Sequence, residues 1–243
     1  LASQMTRSNL TGRVVIKPIS GKGSEGVKFF NTANDAAMYV ESLEKSHNFI
    51  AQESIGTNPV IAGCFLFKKG QIISYYGHER LRTYPIDGGV TVSSVSHTNI
   101  EIKRLGERLL GPLQWDGLAM IEFMWSDKLG DYQLIEVNPR AWGSIMLSEC
   151  CGSNMLLNYV NLLLERPLVA SSPQDNCRIG WLIPFDLLNL VKGRINLSDL
   201  SYNNNKHECS INITYAGFVQ SPLFHMFQIT RFTKILKKFF PND

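Results

Sequence analysis

Two acidic residues set in apolar strand patterns constrain this chain more than any other feature. Residues 116–144 read DGLAMIEFMWSDKLGDYQLIEVNPRAWGS. The pattern predicts two strands, 118–125 and 132–137, joined by a turn carrying Asp127, Gly130 and Asp131. Glu122 lies among Ala119, Met120, Ile121, Phe123 and Met124, and Glu136 among Leu134, Ile135 and Val137. An unpaired carboxylate in such a run is costly, so each acid calls for a metal or a buried cation. Strand side chains alternate, which puts Glu136 and Asn138 on one face. If Glu122 faces the same way, two carboxylates and an amide oxygen converge. That donor set suits a hard cation such as Mg2+. Arg140, two residues further on, carries a planar guanidinium that fits phosphate or carboxylate. The competing reading makes Glu122 the cross-strand partner of a lysine and Asn138-Pro139 a turn.

Composition narrows the function classes. With 243 residues, 44% hydrophobic and 19% charged, the chain has the balance of an ordered globule with ample core. A net charge of +3, from 24 basic residues spread along the chain, argues against nucleic acid as a partner. The absence of a long apolar run argues against a membrane span, and the polar start argues against a secretory signal. The five cysteines are odd in number and lack C-x-x-C spacing. They argue against a zinc site or a disulfide framework and for the reducing cytoplasm. The glycosylation-type triplets at Asn9, Asn196 and Asn212 then read as chance.

Further motifs precede the hairpin. Residues 13–18 (RVVIKP) read as a strand, 20–26 (SGKGSEG) as a glycine-rich turn and 27–30 as the return strand. Glycines let backbone N–H groups approach phosphates closely, and Lys17 would add a fixed charge. The spacing fits neither the Walker pattern nor the protein-kinase pattern, and an ordinary hairpin turn remains the alternative. A helix over 33–45 and a strand over 49–53 complete a β-β-α-β unit, with 54–60 as linker. Strands are expected over 64–68, 71–76 and 78–84. The last puts His78, Arg80 and Arg82 on one face, the two arginines facing either an anionic substrate or solvent. Residues 85–91 read as a glycine loop, 100–110 as an amphipathic helix, and 144–150 and 155–164 as helices. Beyond residue 166 the reading is a strand-then-helix over 181–190, a polar loop over 201–207 and a helix over 224–240.

Taken in order, VIKPISGKGSEGV, FIAQESI, HERLRTYPIDGG, GLAMIEFM and QLIEVNPRAWGS resemble the ATP-grasp superfamily, in particular its carbamoyl-phosphate-synthase-like carboxylate–amine ligases. The resemblance covers residues 10–165, and Glu-x-Asn-Pro-Arg is its most specific part. It implies an α+β fold: two lobes with mainly antiparallel sheets that sandwich a nucleotide. The lobes would be a small one over 13–58, after a lead-in over 1–12, and a large one over 59–165. A C-terminal extension, helical in part, would occupy 166–243. By resemblance, Lys17 meets the nucleotide, and Gly21, Gly23, Ser24 and Gly26 form the loop over its phosphates. Gln52, Glu53 and Ile55 read adenine. Glu122, Glu136 and Asn138 hold Mg2+, with Mn2+ as a substitute. Arg140 steadies the transferred phosphoryl group, and Arg80 and Arg82 meet the substrate.

The implied reaction is ATP-dependent activation of a small-molecule carboxylate as an acyl-phosphate, followed by attack of an amine. Family members usually carry an N-terminal substrate domain and a second nucleotide-contacting lysine, which this sequence lacks. An acid that often contacts ribose is also missing after Gly56. A fragment, completed by an N-terminal domain or a homodimer partner, is therefore the expectation. The alternative is a non-catalytic nucleotide-binding or interaction module.

Overall fold

A computed structural model describes residues 10, 12–20, 26–44, 48–84, 90–180, 185–200 and 208–210. Most of the glycine-rich turn (Gly21, Gly23, Ser24), the loop at 85–89, the polar loop at 201–207 and the helix expected over 224–240 lie outside the described residues. The chain divides into two compact units.

The first unit comprises Leu1–Asn58, Pro85–Val90 and Met124–Gln133. Its sheet contains β1 (Val14–Pro18), β2 (Lys28–Phe30) and, after helix α1 (Ala33–Glu41), β3 (Phe49–Glu53). Strand β1 lies between the other two, antiparallel to both. Thr32 starts α1: its Oγ1 accepts from the Asp35 amide at 3.1 Å, meeting one of the amides a helix start leaves unpaired. The helix ends four residues earlier than its periodicity suggests. Fully buried Val14 and Ile16 pack with Ala36 and Val40. Alternation then turns Val15 and Lys17 to the opposite sheet face, where the pairing of Val15 with Gln52 adds that glutamine. The tip of the central hairpin belongs to this unit. Asn58 Nδ2 donates to Trp125 O and to Asp127 Oδ2, both at 3.0 Å.

The second unit comprises Pro59–Tyr84, Thr91–Phe123 and Leu134–Asp243. It contains β4 (Val60–Lys68), β5 (Gln71–Tyr84), β6 (Val90–Ser96), α2 (Ile100–Leu110), β7 (Gly117–Ser126), β8 (Asp131–Asn138), α3 (Leu147–Cys150), α4 (Met155–Leu163), β9 (Arg178–Gly180), α5 (Leu187–Val191) and β10 (Glu208–Ser210). The sheet order is β10-β9-β6-β5-β4-β7-β8. Helix α2 covers one face, capped by Asn99, whose side chain accepts from the Glu101 and Ile102 amides. A Cβ at Gly106 would lie 2.1 Å from the Phe65 ring, so only glycine lets α2 seat this close. The other face carries the larger core: Ala62, Cys64, Leu66, Tyr76, Leu118, Met120, Trp142, Leu147, Met155 and Ile179.

Three differences from the expected pattern have identifiable physical causes. Strand β5 is continuous through Gly77, where two strands were expected. A Cβ at Gly77 would meet the His97 carbonyl at 2.2 Å, and His97 N donates to Gly77 O at 2.9 Å. That glycine marks close backbone approach rather than a break. Strand β6 was not expected, because VTVSSVS looks polar. Its serines are nevertheless buried: Ser93 Oγ donates to Ile179 O and Ser96 Oγ to Gln174 O. Cys150 is disulfide-bonded, against the expectation from spacing, while Cys64, Cys151 and Cys177 are free and buried. Spacing along a chain does not report a pairing made by tertiary structure. Among the described residues no helix is long and apolar enough to cross a membrane.

Candidate active site

The β7–β8 hairpin presents the acids as its alternation requires. Glu122 on β7 is 4% exposed, Glu136 on β8 is exposed, and Asn138 at the end of β8 is buried. Burial raises the carboxyl of Glu122 above its usual range. Arg80 offsets this, and the neighbouring charge of Glu136 adds to it. The two acids therefore lie within electrostatic reach of each other. The partner of Glu122 is the guanidinium of Arg80 on β5, two strands away, rather than a metal or an adjacent lysine. Of the two ways to settle a buried carboxylate, this chain shows the internal cation.

Arg140 is exposed. Its Nη2 donates to Asn138 Oδ1 at 3.3 Å and its Nη1 to Ala141 O at 3.0 Å. Arg82 is held along one edge: Nε donates to Asp186 Oδ1 at 3.0 Å and Nη2 to Oδ2 at 2.6 Å. Asp186 is fully buried. Nothing in the sequence flagged it, because a lone aspartate in WLIPFDLLNL carries no motif. The two arginines read as meeting substrate are thus both paired to carboxylates of this chain.

A buried polar chain lies on the same sheet face. Trp142 Nε1 donates to Tyr76 Oη at 3.2 Å. The Tyr76 hydroxyl is hydrogen-bonded to Cys64, whose Sγ lies 3.4 Å from His78 Nδ1. Burial holds the Cys64 thiol and the Tyr76 phenol protonated, far above their usual ranges. Burial, with Arg80 adding to it, lowers His78 to about 3. The imidazole is therefore neutral, with Nδ1 in hydrogen-bond contact with the Cys64 sulfur. Periodicity could place His78 on this face, but no sequence signal linked it to Trp142.

In the first unit, Lys17 is half-buried on the sheet face turned away from α1, in the company of exposed Gln52. Glu53 pairs with Lys128 at 2.7 Å, and Ile55 is half-buried beyond β3. Gly26 has φ +78°, and a Cβ there would lie 2.9 Å from Pro18 Cγ. A side chain at that position would be strained on both counts.

Among the described residues no three His, Cys, Asp or Glu side chains cluster as metal ligands. Glu122, Glu136 and Asn138 nonetheless fit Mg2+ by chemistry. All three are hard oxygen donors, two of them charged, and Mg2+ is commonly held by one or two carboxylates with phosphates and water completing its shell.

Residues 2–144 match the family described as the ATP-grasp domain. No curated protein sequence matches the chain. Among solved structures, the biotin carboxylase domain of Hydrogenobacter thermophilus 2-oxoglutarate carboxylase, bound to MgADP, ADP and bicarbonate, aligns with TM-score 0.58 and 13% identity. The match covers 73% of this chain and 42% of that one. Campylobacter jejuni biotin carboxylase, as a β-γ-ATP complex, aligns with TM-score 0.57 and 14% identity, over 68% of this chain and 40% of that one. An N5-carboxyaminoimidazole ribonucleotide synthetase, as its ADP complex, aligns with TM-score 0.55 and 13% identity, over 72% and 48%. The matched region spans less than half the length of each of these proteins. Identities this low speak to the fold. The match over residues 2–144 and the shared architecture agree, and the chain belongs to the ATP-grasp family.

Proposed function

We propose that this chain is the nucleotide- and metal-binding part of an ATP- and Mg2+-dependent ligase that activates a small-molecule carboxylate as an acyl-phosphate for attack by an amine. The observation that carries the reading is Glu122. It is a buried carboxylate, in electrostatic contact with Glu136 and on the hairpin that ends in Asn138 and Arg140. Burying an acid there costs stability, and a cation site facing bound phosphates is the function that explains the cost. The MgADP and ATP bound by structurally similar proteins favour the same ligand class.

Glu122, Glu136 and Asn138 would hold the divalent ion. When bound, that ion supplies charge neutralisation to the phosphate oxygens. Lys17, Gly26 and Gln52 of the first unit, with Gly21, Gly23 and Ser24, would contact the nucleotide, and Glu53 and Ile55 its base. Arg140 is exposed and presents planar donors, which suits the transferred phosphoryl group or the acyl-phosphate. Arg80 would meet the second anion. Arg82, held by Asp186, would act as a fixed positive charge beside it. Attack of a carboxylate on a phosphate brings anions together, and prepositioned cations lower that cost without reorganising.

Trapping with hydroxylamine tests the reading. Incubation with Mg-ATP, a panel of carboxylates and hydroxylamine should release ADP and form the hydroxamate of the true substrate. Tight Mg-ATP binding with no ADP and no hydroxamate from any carboxylate, even in the longest natural form of the protein, would leave a non-catalytic nucleotide-binding module instead.

A further inference from the structure

We infer that Arg80 and a divalent cation exchange at the Glu122 carboxylate, so that loading the metal releases Arg80 to an anionic ligand. The inference rests on the reading of Glu122, Glu136 and Asn138 as a metal site. It adds that Arg80 reaches its anion only after the metal has displaced it from Glu122.

Two arginines on one face of β5 make the argument by contrast. Arg82 is saturated along its edge, with Nε and Nη2 both bonded to the fully buried Asp186. Arg80, two residues away, holds Glu122 through Nη2 alone, and its Nε is buried with no hydrogen-bond partner. A buried donor left unsatisfied is costly, and a pair built only for stability would engage it, as Asp186 does for Arg82. Arg80 also reaches Glu122 from two strands away, across β4. One bond anchors it and one donor is idle, which is the bonding of a group that changes partners.

The exchange follows from charge. Glu122 is shielded from water, so its ionised form needs a cation beside it. A guanidinium and a divalent ion on the same carboxylate repel strongly where water is largely excluded. Binding of the ion therefore drives Arg80 off, and its planar donors can then take a phosphate or carboxylate oxygen with geometry that a lysine lacks. Metal loading and anion capture become linked, and each strengthens the other.

The test is Mn2+ binding to the full chain without nucleotide, followed by electron paramagnetic resonance. Arg80→Gln should bind Mn2+ at least about tenfold tighter than the unmodified chain, and Arg80→Lys, which keeps the charge, should stay within about threefold of it. Equal or weaker Mn2+ binding by folded Arg80→Gln would overturn the exchange. Glu122→Gln and Glu136→Ala test the underlying site separately. If neither weakens Mn2+ binding, the metal reading itself fails and takes the inference with it. Should Arg80→Gln not fold, a crystal structure of the unmodified chain with Mg2+ and ADP decides the matter. Arg80 Nη2 should lie beyond about 4 Å from Glu122, and a pair retained while Glu122 ligates the ion would overturn the inference.

Discussion

Acidification should weaken the fold through His78, and His78→Gln should remove that share of the pH dependence. The imidazole is 1% exposed, is hydrogen-bonded to the Cys64 sulfur and sits two residues from Arg80. Burial, then Arg80, lowers it from 6.5 to about 3. In the folded chain it is neutral at pH 5, while in the unfolded chain it takes up a proton as the pH falls below 6.5. The unfolded state therefore binds more protons, and stability falls as pH falls across that window, until the folded value is reached. Each pH unit below the unfolded value costs about 1.4 kcal/mol, so lowering pH from 7 to 5 should cost about 2 kcal/mol. Glu122 works in the opposite sense. Its carboxyl is raised in the folded state, so the folded chain takes up that proton first, and acidification favours folding there. The measurement is thus a double difference: urea unfolding of the unmodified chain and of His78→Gln, each at pH 7 and pH 5. Comparing the two proteins cancels Glu122 and every other common group. The unmodified chain should lose about 2 kcal/mol more than the variant between the two pH values. Equal losses, or a larger loss in the variant, would refute the claim that a neutral, water-excluded imidazole sits on this sheet.

Two further substitutions probe the framework around the site. Asp186→Asn should destabilise the chain by about 3 kcal/mol, because it leaves Arg82 paired with no buried charge; replacing both partners, as Arg82→Met with Asp186→Leu, should be milder than the single change in the same urea assay. Gly77→Ala should cost about 3 kcal/mol, since its Cβ would meet the His97 carbonyl at 2.2 Å and backbone must shift; an unchanged unfolding midpoint would count against the close approach of β5 to that segment.

The sequence was most legible where one physical rule acted alone. β3 and α2 fall at their expected bounds, since FIAQE reads as a short strand and the apolar residues of 100–110 follow a helical period. The β7–β8 hairpin was legible because a period-two pattern with Gly130 at its turn admits few other structures. Strand β5 was misread because Gly77 signals a turn in isolation and close packing in context. Strand β6 was missed because two of its buried serines, Ser93 and Ser96, are satisfied by carbonyls from segments about 80 residues away. The same limit applies to the site. The acids and Arg140 follow from alternation and residue chemistry. The bonds from Arg80 to Glu122 and from Arg82 to Asp186 span 42 and 104 residues. No local pattern encodes a partner at that distance, so arginines that looked ready for a ligand turned out to be paired.

The central claim is that the hairpin acids bind a nucleotide-associated metal. Isothermal titration of ATP into the full chain, with and without Mg2+, tests it most directly when repeated with Glu136→Ala, whose exposed side chain leaves the core intact. The account requires Mg2+-dependent binding by the unmodified chain and a loss of at least about tenfold, roughly 1.4 kcal/mol, in the variant. No binding by the folded chain, or identical affinities for the two proteins, would contradict it.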